Sequence, residues 1–234
     1  MYTEPQPRYR EVSAFAQAPS RADFITKVYS HLLGAVLLFI VIEALLFTTG
    51  IANQIASILS VGRLGWLVVL GGFMLVGWIA TRTAHTATSL GAQYAALGGY
   101  VLAEAIIFVP LLWMANASFP GAITAAAVVT AVGFTALTAV VIATRKDFSF
   151  LRGILCWGGI IALVFIGISA FTGFNLGNVF VVAMIAFAGA AVLYDTSNVL
   201  HHYPEDRYVG ASLQLFASVA LMFWYILQLF MRKN

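Results

Sequence analysis

Residues 177–201 read GNVFVVAMIAFAGAAVLYDTSNVLH, twenty-five positions that carry a single acidic or basic side chain short of the terminal histidine, Asp195. A helix rises about 1.5 Å per residue, so this run reaches about 37 Å, enough to cross a hydrocarbon core of about 30 Å. Six other runs have the same character: Ser30–Thr49, Leu64–Thr81, Ser89–Met114, Pro120–Thr144, Leu151–Thr172 and Tyr208–Met231. Open strands leave backbone groups unsatisfied in lipid, and a barrel needs short alternating segments. Continuous apolar runs therefore predict an all-α polytopic membrane protein with seven transmembrane helices.

Composition agrees. Of 234 residues, 62% are hydrophobic and 9% charged, against roughly 25% charged in soluble domains. The net charge of +3 comes from arginines and lysines in short loops and tails, as topology and headgroup contacts require. It does not form the basic, aromatic-interleaved patch of a nucleic-acid binder. The lone Cys156 allows no intrachain disulfide or zinc set and is read as a buried small hydrophobe. The first apolar run is long enough to be a retained helix rather than a cleaved signal.

Residues 1–22, with Pro5, Pro7 and Pro19, are read as a flexible cytoplasmic tail, and residues 23–234 as the membrane domain. Polar side chains from Ser20 to Asp23 cap the first helix. Pro110 should kink the third run or end its regular part, and Pro120, behind Ser118, should start the fourth. With the N-terminus inside, nine basic residues fall inside (Arg8, Arg10, Arg21, Lys27, Arg82, Arg145, Lys146, Arg152 and Arg207) and three outside (Arg63, Arg232 and Lys233), which sets the expected orientation. A re-entrant last run would return Arg232 and Lys233 inside, so charge leaves that run open. Short loops and a minimal chain are read as those of a bacterial inner membrane protein.

Function in such a chain is sought at charges placed in hydrocarbon, each costing about 2.5–3.5 kcal/mol near the centre. Glu43, Arg82, Glu104 and Asp195 qualify, with His31 a weaker fifth. Counting residues from the inner ends puts Asp195 about 9 Å deep and Glu43 and Glu104 about 20–22 Å deep. Arg82 falls near the inner interface, within reach of Asp195. Each also has a plain structural reading: a snorkelling arginine, an interfacial histidine, or hydrogen-bonded packing carboxyls. Carboxylates at several depths also suit a cation path, since oxygen ligands suit calcium. Hydrolysis lacks support, because no His-Glu-x-x-His pattern occurs and no nucleophile has a nearby histidine base in its motif. No enzyme activity and no cofactor are expected. His201–His202 is read as an interfacial helix end.

Four stretches resemble the Bax inhibitor-1 (transmembrane BAX inhibitor motif) family: RADFITKVY at 21–29, TRKDFS at 144–149, LYDT at 193–196 and ASLQLF at 211–216. Their order and spacing span all seven runs. The resemblance implies six helices around a central C-terminal one and a cation leak, calcium best discussed, answering pH through two aspartates. Asp195 matches the first. In the stretch Leu215–Phe216–Ala217–Ser218–Val219 the second is replaced by Ser218. Two close carboxylates share a proton and titrate together; with Ser218 that coupling goes, so a pH response should weaken. Ser218, or Gln214 one turn earlier, can hydrogen-bond Asp195.

Two functions follow as expectations. One is a cation leak with Asp195 and Ser218 at the gate or as a calcium ligand, Arg82 as counter-charge, and Glu43 and Glu104 along an outer path. The other is a non-transporting regulator, for example of a membrane-bound AAA protease, with the tail 1–22 as handle.

Overall fold

The computed structural model of the chain describes residues 21–59, 62–87 and 89–232. Eight α-helices follow in order: α1 (Arg21–Thr48), α2 (Ile51–Leu59), α3 (Gly62–Thr86), α4 (Leu90–Ser118), α5 (Ala122–Thr144), α6 (Leu151–Thr172), α7 (Gly177–His201) and α8 (Tyr208–Phe230), the last entered through a 3₁₀ turn at Glu205–Arg207. Seven are long and apolar enough to cross a membrane; α2 is the exception. Successive spans alternate in direction, so α1, α4, α6 and α8 begin on one face of the bundle, here the N face. The protein is an all-α polytopic membrane protein.

The first twenty residues of the expected tail lie outside the described part, as does Ser20, while Arg21 and Ala22 are already helical. Sequence reasoning missed α2, because nine residues are too few to span. Ala52 and Ala56 pack with Val109 of α4, and Trp113 Nε1 donates to Asn53 Oδ1 at 2.8 Å. Pro120 does not start a helix: α4 runs through Pro110 to Ser118, and a turn carries Pro120 and Gly121 before α5 begins at Ala122. Gly121 stands at φ +82°, a backbone conformation that favours glycine. Ser89 caps α4, its hydroxyl accepting from Ala92 N at 3.3 Å.

The bundle is organised on α8, which packs against α1, α3, α4, α5 and α7. Helix α6 is peripheral, touching α7 and α3, and Cys156 on it is exposed rather than buried. On α1 the buried positions Phe24, Val28, Leu32 and Ala35 recur at helical spacing and face a cluster including Val209, Ala211, Leu213 and Leu215 of α8. The opposite faces of these helices are also apolar, for example Leu33, Leu37 and Ile40, as hydrocarbon contact demands.

Two arginines tie the N face together. Arg21 donates from Nε to Leu200 O (3.1 Å), from one terminal nitrogen to Tyr203 O (2.5 Å) and from the other to Val199 O (2.7 Å). The Val199 and Leu200 carbonyls end α7 and lack intrahelical donors, and Tyr203 is in the loop that follows, so the first residue of α1 caps the sixth span and holds its exit. Arg207 does likewise for α3, reaching Ala87 O at 2.5 Å. Arg21→Ala should lower stability by about 2 kcal/mol, a fall of roughly 4–8 °C in melting temperature. Thermal unfolding in detergent checks this, and an unchanged midpoint would contradict the capping role.

Candidate functional site

Asp195 lies two turns before the end of α7 and is 4% exposed. Ser218 of α8, 6% exposed, donates a hydrogen bond to Asp195 Oδ2. Gln214, one turn earlier on α8, lines the same cavity as Asp195. Positions 214 and 218 are four apart and share one face of α8, which is why both face that cavity. The Gln214 Oε1 accepts from Tyr203 OH at 2.6 Å, which leaves its amide nitrogen available as a donor. Tyr203 thus holds Gln214 beside the Asp195–Ser218 contact. Burial, with Asp195 nearby, holds the Tyr203 phenol up, which keeps it a donor.

Asp195, Gln214 and Ser218 line a cavity of about 650 Å³ together with Glu104, Tyr194 and Arg232. Ser218 and Arg232 are fourteen residues apart, so the cavity extends about 21 Å along α8. Glu104, 5% exposed, accepts from Tyr100 OH at 2.9 Å. Arg232 donates to Asn178 Oδ1 at 2.7 Å. The cavity thus runs from the locked Asp195 past Glu104 to an arginine beyond the end of α8.

Two sequence expectations are corrected. Arg82 does not meet Asp195. It is exposed, with its guanidinium carbon 5.2 Å from the centre of the Trp78 ring. Residues 78 and 82 are four apart, and Trp78 is itself exposed, so both lie on the outer face of α3. Glu43 does not join Glu104. It lines a separate cavity between α1 and α5, and aromatic side chains stand between the two: Phe39 meets Phe108 edge-on at 5.2 Å and Phe216 at 6.1 Å. His31 is an N-face residue, its Nδ1 2.7 Å from Lys27 O and its Nε2 2.8 Å from Tyr94 OH.

Sequence reasoning also missed how the α5–α6 loop docks beneath Asp195. Phe148 N donates to Ser197 Oγ at 2.9 Å, two residues beyond Asp195. Asp147 Oδ1 accepts from Ser149 N at 2.8 Å, and His202 Nε2 lies 3.5 Å from Asp147 Oδ2. His201 ends α7 with Nδ1 3.0 Å from Ser197 O. Among the described residues, no three His, Cys, Asp or Glu side chains converge as a metal cluster.

A family model described as inhibitor of apoptosis-promoting Bax1 matches residues 21–234. The chain belongs to the Bax inhibitor-1 family. Its relatives include an uncharacterized protein of Pseudomonas aeruginosa, 32% identical over 168 residues, 70% of this chain and 72% of the relative. The modulator of FtsH protease YccA of Escherichia coli is 29% identical over 185 residues, 77% of this chain and 80% of the relative. An uncharacterized protein of Pasteurella multocida is 26% identical over 177 residues, 73% and 76%. In this family member Ser218, standing where the resemblance places a second aspartate, keeps contact with Asp195 as a neutral donor.

The Ser149 backbone N–H, then the nearby histidines, hold the Asp147 carboxyl below its usual range. A carboxyl lowered in the folded state stabilises above its unfolded pKa, about 3.9, and loses that contribution as pH falls through the folded value. The Asp147 contribution to loop docking is therefore present at neutral pH and is lost in acid. Asp147→Asn should raise hydrogen exchange over residues 146–149 at pH 7 several-fold, read by mass spectrometry. Unchanged exchange would show that Asp147 does not hold the loop.

Proposed function

We propose that this Bax inhibitor-1 family member is a non-enzymatic membrane protein that provides a gated path for cations, calcium among them, closed at Asp195. The observation that carries the reading is the single cavity in which Glu104 and Asp195 stand at different depths. Two carboxyl groups in one cavity within a membrane bundle offer successive oxygen ligands to a cation. Toward the N face the path ends at Asp195, which accepts from Ser218 and shares its cavity with Gln214. Tyr203, in the loop between α7 and α8, holds Gln214 in that position.

In mechanism, the Ser218 hydroxyl and the Gln214 side chain stand at the Asp195 carboxyl and compete with an ion for it. Release of Gln214 from Tyr203 uncovers the carboxyl to the cavity. The Ser218 donor carries no charge, so Asp195 titrates without a paired carboxylate, and the pH response is weaker than that of a two-aspartate site.

In liposomes loaded with a calcium indicator, Tyr203→Phe should raise calcium influx several-fold over wild type, because Gln214 loses its anchor. Asp195→Asn should alter both the flux and its pH dependence. Equal flux in wild type and Asp195→Asn across pH 5–8 would sink the gating role.

A second reading is favoured by the similarity to the Escherichia coli protein named as a modulator of FtsH protease. On it, this chain resides in a bacterial inner membrane with its N-terminus cytoplasmic and restrains a membrane-bound protease, using residues 1–22 as a handle. Crosslinked pull-down of the protease should fail when residues 1–22 are deleted. Unchanged capture together with absent calcium flux would leave the membrane bundle itself as the contact surface.

A further inference from the structure

The cavity that holds Glu43 plays no part in the path described above. It is a groove of about 500 Å³ flanked by α1 and α5, with Phe108 of α4 and Phe216 and Phe223 of α8 behind it. Leu33 and Ile40 line it and are 60% and 54% exposed, so the groove meets the hydrocarbon side of the bundle. Its lining is largely apolar and contains one charged residue, Glu43. Glu43 is 7% exposed, and neither carboxyl oxygen has a hydrogen-bond partner. Thr130, also in the lining, is 4% exposed with its hydroxyl unpartnered. Buried polar groups without partners are costly, and charged side chains in a membrane interior pair with something.

Shape narrows the partner. Tyr29 and Glu43 mark the ends of the groove on α1, fourteen residues or about 21 Å apart. A cleft of about 500 Å³ on that length holds one extended alkyl chain along α1. Charge narrows it further: the one ionisable group besides the Tyr29 phenol is a carboxyl, with no lysine, arginine or histidine in the lining.

We propose that the α1–α5 groove binds a single-chain lipophilic amine, its ammonium group at Glu43 and Thr130 and its chain lying toward Tyr29. The Glu43 carboxyl turns from its enclosed position onto the ammonium group, and the Thr130 hydroxyl accepts a second of its three hydrogens. Apolar residues of α1, α5 and α8 cover the chain. This site is independent of the Asp195 cavity and does not rest on cation passage.

The test uses nitroxide-labelled stearylamine and, as its anionic counterpart, nitroxide-labelled stearic acid, each titrated into the protein in phosphatidylcholine nanodiscs. Electron paramagnetic resonance reads the immobilised fraction against empty nanodiscs. Wild type should bind the amine at least tenfold more tightly than the acid, since a charge-assisted hydrogen bond contributes on this scale. Glu43→Gln should lose that preference. Ala131→Trp, at an exposed lining position on α5, should block the chain while leaving Glu43 in place, with its melting temperature unchanged. Equal binding of amine and acid, or wild-type amine binding in both variants, would overturn the proposal. So would dimerisation through the groove without amine binding, which would assign the face to a second copy of the chain.

Discussion

The structure turns on one buried carboxyl group. Asp195 sits inside a bundle that hydrocarbon surrounds, so its oxygens need partners from the protein itself. Helix α8 supplies a donor from Ser218 and sets Gln214 in the same cavity, which fixes the rotation of α8 against α7. Because α8 also packs against α1, α3, α4 and α5, that rotation sets the register of most of the bundle. Arg21 and Tyr203 extend the arrangement to the N face, where the loop leaving α7 is held by the start of α1 and reaches Gln214 through its phenol.

Replacing a second aspartate by Ser218 changes what the site can do more than what it looks like. A serine donates one hydrogen bond and brings no charge, so Asp195 is held by neutral groups alone. Two carboxylates facing one another repel and share a proton; a carboxyl facing a hydroxyl does neither. The Asp195–Ser218 contact therefore joins α7 to α8 without that coupling.

Much of this was legible in the sequence. Seven spans follow from run length, and two of the runs, Leu151–Thr172 and Gly177–His201, coincide with helices residue for residue. Asp195, Glu104 and Glu43 stand out because charge is rare in the runs, and spacing of four on α8 foretells that Gln214 and Ser218 face one way. Partners across helices were not legible. Depth alone put Arg82 near Asp195 and Glu43 beside Glu104, but depth says nothing of rotation about the helix axis. Rotation sends Arg82 onto Trp78 and puts Glu43 behind Phe39 and Phe108. Arg21 as a cap for α7 and Tyr203 as the anchor of Gln214 join residues more than ten positions apart, with no local pattern to announce them. Helix α2 was hidden because it is too short to register as a span.

The central claim is that the Asp195–Ser218 contact couples α7 to α8. A double-mutant cycle on thermal stability in nanodiscs, using Asp195→Leu, Ser218→Ala and the pair, tests it most directly. Interhelical hydrogen bonds in membranes couple by about 0.6 kcal/mol on average and up to about 1.7, and one between two buried side chains belongs at the upper end. The account predicts that the double variant loses less than the two single losses combined, by about 1 kcal/mol or more. Strict additivity would contradict it.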